Sequence, residues 1–524
     1  MRNSLVLFAA LALPVAVFAS GAAFAQGGGI GNWTTAGADP SHSGWQKNEK
    51  KISKETAGTQ FKFLWKLKLG ATAKETQSFT EPLLALRLIN AQGFKDLVLW
   101  GSTDTVYAVD SELGTIVWKK TYDVPASNGT GACGAHNLSI VMEPPVVINF
   151  GAHRAPGASP APTPPASAPP LPLSQRRLGV TAGGGGFGLK GLYVLTGDGI
   201  LHEQVLSTGI DFAPPVKFLP MAHANPDGLS VIGKKMFTIT GRGCSGTKNG
   251  LWAIDLASPD YTTTNYMTDK VVPLGLSGPT LDDGVAYLVT GSGAAGNVHA
   301  DSVIAVTVKD MKEKDWYMPA GEGKVRNISP VAFTFKQKKL VAAPGRDGSF
   351  VLLDSESLGG ADHHTPLSES AKIAKTKSDS FDSLASWQDA SGTAWVLASV
   401  SGSLLPEAKF AATNGPAPHG SVVAFKVEEK GDKMMLTPAW VSRDLIHPAP
   451  PVITNGVVVA LSQGNSTMHA TLYVLDAMTG KELYSSKDAI STYAHLTGVA
   501  VGDGHAFFTT HDSTLYSFGI GLEH

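Results

Sequence analysis

The sequence predicts an all-β chain folded as an eight-bladed β-propeller of four-stranded antiparallel blades, closed by an N-terminal strand. One phrase recurs along the chain: a short apolar strand, a Gly-rich turn, then an alternating strand that often ends in Asp. Hairpin dipeptides such as Asn455-Gly456 and Asp503-Gly504 lie between further pairs of short strands, and Asn-Gly and Asp-Gly tolerate the positive φ that a two-residue turn demands. Charged residues are only 16% of the chain, against 58 glycines and 32 prolines, a balance that suits many short strands joined by tight connections.

From the N-terminus, Arg2 gives a positive start, Leu5 to Phe18 is almost wholly apolar, and Ala23-Phe24-Ala25 reads as a small-x-small cleavage site before Gln26. This is the pattern of a secretory signal peptide over residues 1–25, and Pro14 argues against a buried helix. Residues 26–524 then form a single propeller domain, expected in the periplasm or secreted. No later stretch has the length of a bilayer-spanning helix. The formal net charge of −2 gives no electrostatic reason to expect nucleic acid. The cluster Lys47, Lys50, Lys51 and Lys54 reads as a solvated stretch.

The recurring phrase ends at Asp110, Leu206, Asp255, Val306, Asp354, Phe425, Asp476 and Phe518. Most copies are separated by about 45 to 50 residues, the length of a four-stranded blade. The two longer intervals hold a Pro-rich insert near 154–175, expected to be a disordered loop within the second blade, and a Gly/Pro/Ala loop near 402–420. A lone blade cannot bury both its faces; packing blades around an axis hides them. The eighth copy runs to the C-terminus without an outer strand, and FKFLWKLKLG, from Phe61 to Gly70, is predicted to supply it.

Two passages match the repeat of a known family. VYAVDSELGTIVWKK carries Ala108, Asp110, Gly114 and Trp118, and VLDAMTGKELY carries Asp476 and Gly480 with Tyr484 in the Trp place. With WTTAGADPSHSGWQ, which begins at Trp33, they resemble the pyrroloquinoline quinone (PQQ) repeat propellers, the quinoprotein alcohol dehydrogenase-like family. The resemblance implies that the Trp docks between neighbouring blades while the Asp and Gly shape the turn before the outer strand. It also implies two functional classes: dehydrogenases that hold PQQ with a calcium or lanthanide ion and a carboxylate base, and non-enzymatic scaffolds. The chain departs from the first class in having no adjacent cysteines, no Cys-x-x-Cys-His and no match to the metal-binding Glu, Asn and Asp set. It departs from the lipoprotein scaffolds in having no Cys at the cleavage point.

Propeller geometry sorts the remaining signals. The connections into the inner strands share one face with the loops between second and third strands. Those loops include GRGCSGTKNG, GSGAAGNVHADS, the 402–420 loop and SQGNSTMHA, whereas the opposite face carries minimal hairpins. Long loops on a rigid scaffold are where binding tends to reside. The lead-ins to the inner strands bring His136 and Asn137, His223 and Asn225, Arg326 and Asn327, Asp382, His447 and His495 to corresponding points of different blades. Imidazoles and carboxamides there serve either to hold a metal, quinone or sugar, or to cap strand ends and bind channel water. Cys133 and Cys244 fall on the same face in adjacent blades, and an even count in an oxidising compartment permits a disulfide, with two free thiols the alternative.

The expectation for function is a binding or scaffold module that meets a small molecule or protein at its long-loop face. The alternative is a divergent PQQ-dependent dehydrogenase oxidising an alcohol or sugar by hydride transfer, with Asp382 as the one nominated carboxylate base. A sugar-binding role with Trp387 stacking on the ring is the third reading. No cofactor is required by the residues themselves; PQQ with calcium or a lanthanide follows from the resemblance alone.

Overall fold

The structure, a computed structural model, describes residues 31–70, 79–90, 93–124, 133, 138–143, 191–241, 243–275, 277–293, 299–321, 323–374, 383–431, 433–494 and 498–521. The segment expected to be a leader, residues 1–25, and the Pro-rich insert near 154–175 lie outside the described residues, as do His136, Asn137, Asp382 and His495.

Eight antiparallel sheets follow one another along the chain. Blades 1 to 7 span residues 83–121, 139–217, 227–269, 273–317, 331–369, 383–441 and 452–485. Blade 8 takes its three inner strands from residues 500–520 and its outer strand from Phe61–Lys68, which pairs antiparallel with Thr514–Ile520 (Phe61 opposite Ile520, Lys68 opposite Thr514). The chain's two ends therefore close the ring, as the alternation in FKFLWKLK predicts.

Strands within a blade turn as the dipeptides require. Asn455 and Gly456 have φ of 38° and 79°, and Asp503 and Gly504 have 48° and 85°, the left-handed pair of a tight hairpin. The second and third strands are almost wholly buried, because both faces of a blade pack on neighbours.

Outer strands lock to the next blade through aromatic rings. Trp118 of blade 1 donates from Nε1 to Leu206 O of blade 2 at 2.9 Å, and its ring lies where a Cβ at Gly209 would come within 2.6 Å. Trp65 of blade 8 does the same to Ser111 O and Gly114 of blade 1, and Trp440 of blade 6 to Ala477 O and Gly480 of blade 7. All three glycines have positive φ. The turns themselves are held by Asp110, whose Oδ1 accepts from Glu112 N and Leu113 N, and by Asp476, which accepts from Met478 N and Thr479 N. Tyr484, in the Trp place of blade 7, packs edge-on against Phe61 of blade 8 at 4.9 Å.

One element has no counterpart in the repeat. Residues 33–46 make a circuit inside the ring and bond the inner strands of the blades in order. Trp33 pairs with Leu84 of blade 1, Thr34 O accepts from Met142 N of blade 2, and Thr35 Oγ1 donates to Leu229 O of blade 3. Pro40 O then accepts from Leu281 N, Ser41 O from Ala332 N, Ser43 O from Ser386 N and Gly44 O from Ile453 N, serving blades 4 to 7. Gln46 Nε2 donates to Val501 O of blade 8 at 2.9 Å. The chain leaves at the hairpin face, where Asn455 Nδ2 donates to Lys50 O and Lys51 pairs with Asp503. The axial channel is thus filled by the protein's own N-terminal segment.

Candidate functional site

The lead-ins to the inner strands and the second loops meet at one end of the ring. Asn225 N, ahead of blade 3, donates to Gly197 O in the second turn of blade 2 at 3.2 Å, and Gln463 N in the long loop of blade 7 donates to His447 O at 3.3 Å. That end lies above the axial segment, opposite the hairpins. Of the long loops, 402–420 both borders this end and leaves it. Leu405 N donates to Ile373 O in the lead-in to blade 6, next to the Ala374 carbonyl that Arg326 reaches, while Ala412-Thr413 pairs parallel with Trp440-Val441 and covers the edge strand of blade 6.

The residues singled out in sequence take distinct places. Asn225 is buried at φ 46°, and its Nδ2 lies 4.0 Å from Cys244 Sγ. Cys244 is bonded to Cys133, which joins the lead-in of blade 2 to the long loop of blade 3. His223 is half-buried at φ 57°, and His447 is exposed at φ 47°. Asn327 Oδ1 accepts from Gly275 N at 2.7 Å, tying the approach of blade 5 to that of blade 4. Beside it Arg326 is buried, donates from Nη2 to Ala374 O at 3.3 Å, and is pushed down to about 10 by burial. Trp387 is buried and stacked on Trp395 at 6.2 Å, which removes it as a face for a sugar ring.

One shifted carboxylate at this end is not among the residues singled out in sequence. Glu81, at the lead-in of blade 1, accepts at Oε1 from Trp33 Nε1 and from Gly37 N, each at 2.9 Å. A Cβ at Gly498, on the approach to blade 8, would collide with the same carboxylate. Burial pushes Glu81 up to about 7, against the two donated bonds that favour its charged form. Its signal is the proline that follows: Glu81-Pro82 and Asn225-Pro226 occupy matching places ahead of inner strands. Gln463 is also missed; it is buried, its backbone joins His447 to Ala494, and its Oε1 has no hydrogen-bond partner among the described residues.

Among the described residues the mouth is therefore a ring of ties between neighbouring blades that includes a carboxylate pushed up to near neutrality, a buried guanidinium and an amide oxygen without a described partner. Among the described residues no group of three or more His, Cys, Asp or Glu is placed to hold a metal ion. The described donors do not assemble a calcium or lanthanide site: Glu81 turns Oε1 to two N–H donors, and no further described carboxylate or imidazole is grouped with it there.

No family model matches the sequence. No curated protein matches it either. Among solved structures, the quinohemoprotein alcohol dehydrogenase from Comamonas testosteroni superposes with a TM-score of 0.58 at 12% identity, over 94% of this chain and 81% of that one. The fold is that of the quinoprotein dehydrogenase propellers. A second quinohemoprotein alcohol dehydrogenase, from Pseudomonas putida HK5, gives 0.57 at 14% identity over 94% and 81% of the two chains. A europium-containing methanol dehydrogenase gives 0.54 at 11% identity over 93% and 98%. At such identities the likeness of this propeller to those enzymes is one of architecture. No helix among its described residues is long and apolar enough to cross a membrane.

Proposed function

We propose that the protein is an exported quinoprotein-type propeller that binds a small polar ligand at the mouth above its axial segment, on the long-loop face. The observation that carries this reading is Glu81, a carboxylate at the lead-in of blade 1 that accepts from Trp33 Nε1 and Gly37 N and that burial raises to about 7. Arg326 and Gln463 supply a buried cation and an open acceptor at the same end of the ring. Such a group set orients a ligand bearing both hydroxyl and carbonyl groups, by hydrogen bonds rather than by metal coordination. The leader at residues 1–25 supports export. The test is calorimetric titration of the purified mature chain with sugars, polyols and small quinones. Binding that weakens in Glu81→Gln is expected, and no heat from any class would overturn the reading.

The second reading is a PQQ-dependent dehydrogenase, favoured by the three enzyme neighbours and by the repeat resemblance. PQQ would supply the hydride acceptor. The described residues offer no metal site for it, and no reaction step is derived through it. Absorbance titration with PQQ in the presence of calcium and then of a lanthanide, followed by alcohol-driven dye reduction, separates the readings. Turnover establishes the dehydrogenase, and absence of PQQ binding under both ions removes it.

A further inference from the structure

The ring has two fastenings. One is the outer strand Phe61–Lys68, which bonds one strand of blade 8 and, through Trp65, the turn of blade 1. The other is the axial segment, whose backbone or side chains bond an inner strand in every blade.

We infer that residues 33–46 are the lock of the propeller: they couple all eight blades into one opening unit, and the outer-strand closure is subordinate to them.

Three features make the segment a lock rather than a strand laid against a wall. It is buried along most of its length, with Trp33, Thr35, His42, Ser43 and Gln46 among the least exposed residues of the protein. It is braced internally: Asp39 Oδ1 accepts from Ser41 N, Ser41 Oγ and Ser43 N, while Oδ2 accepts from Ser43 Oγ. This ties the stretch serving blade 5 to the stretch serving blade 6. It also fits its channel without slack. Gly44 has φ of +62°, and a Cβ there would sit 2.8 Å from Ala385 Cβ of blade 6 and 2.9 Å from Pro451 O of blade 7. His42 reaches across in the same way, with Nδ1 at 3.1 Å from Thr280 Oγ1 of blade 4, whose hydroxyl donates to Pro330 O beside blade 5.

Each such bond contributes little alone. Their arrangement is what matters. A blade can swing away from the axis only by releasing its bond to the segment, and a braced segment released at one point is displaced at the others. Local opening then spreads around the ring instead of staying in one blade.

The test is hydrogen exchange read by mass spectrometry on the full chain. Gly44→Ala touches only the walls of blades 6 and 7. Exchange is expected to speed by about tenfold at the inner strands of blades 3 and 4 (Asp227–Ile232 and Thr280–Asp282) as well as at blades 6 and 7. Trp65→Ala, which loosens the other fastening, is expected to speed exchange at blades 8 and 1 alone. Thr35→Val is a milder second probe, since it removes only the bond to Leu229 O of blade 3; its effect is expected to reach blades 6 and 7. Effects of Gly44→Ala and Thr35→Val confined to the adjoining blades, or an effect of Trp65→Ala that spreads as widely as theirs, would overturn the inference. If Gly44→Ala does not fold, Thr35→Val alone decides between the two outcomes.

Discussion

Glu81 and His42 are titratable groups that burial shifts in opposite senses, and both touch or belong to the axial segment. Burial raises Glu81 to about 7 from the usual 4.5, so the folded protein holds a proton that the unfolded chain has lost. Its contribution to stability therefore falls as pH rises from about 4.5 through 7 and is flat above that. Burial pushes His42 down to about 4, with Asp39 opposing; here the unfolded chain binds the proton first, and stability falls as pH drops from about 6.5 to 4. The two slopes oppose one another between pH 4.5 and 6.5, which leaves the loss above pH 6.5 to Glu81. Glu81→Gln is expected to narrow the fall in melting temperature between pH 6 and pH 8 seen for the wild-type protein. A fall of the same size in the variant would show that Glu81 is not the titrating group. At this scale the sequence shows polar residues ahead of inner strands but not which of them is special. The shift on Glu81 comes from burial; Trp33 and Gly37, whose donated bonds oppose it, lie 48 and 44 positions away and reach it only because the axial segment runs past blade 1.

The elements follow closely from local chemistry. Asn-Gly and Asp-Gly dipeptides set the hairpins, and the Asp, Gly and Trp of the repeat form the junctions between blades 8 and 1, 1 and 2, and 6 and 7. Trp118→Ala removes the ring lying over Gly209 and the bond to Leu206 O, and is expected to lower stability by about 2–4 kcal/mol in urea unfolding. Gly480→Ala drives a methyl group into the Trp440 ring at a backbone φ of +70° and is expected to lower it by about 1–3 kcal/mol. No change for either would mean that these junctions carry no weight. The loop at 402–420 is the element that local reasoning places only in part. Its Gly/Pro/Ala composition marks a loop, but its course is set by a parallel pairing with Val441 and Trp440, a contact between segments that no turn connects.

At the scale of the molecule, the count of blades and the closure by Phe61–Lys68 are legible because repetition and alternation repeat the same signal many times. The axial segment is not legible, because it occurs once, has no period, and gains its structure from eight strands spread over the chain. The bond between Cys133 and Cys244 spans 111 positions and joins blade 2 to blade 3 at the mouth. Replacing both cysteines with serine is expected to lower thermal stability by about 2–4 kcal/mol while the β-sheet circular dichroism is unchanged. Equal stability of the two forms would show that the staple is dispensable. The mouth it borders is the centre of the functional account. The most direct measurement is native mass spectrometry of the protein purified from its own cell, beside Glu81→Gln prepared identically. The account predicts a small-molecule adduct on the wild-type chain that is lost or reduced in the variant. Identical spectra for the two proteins would contradict it.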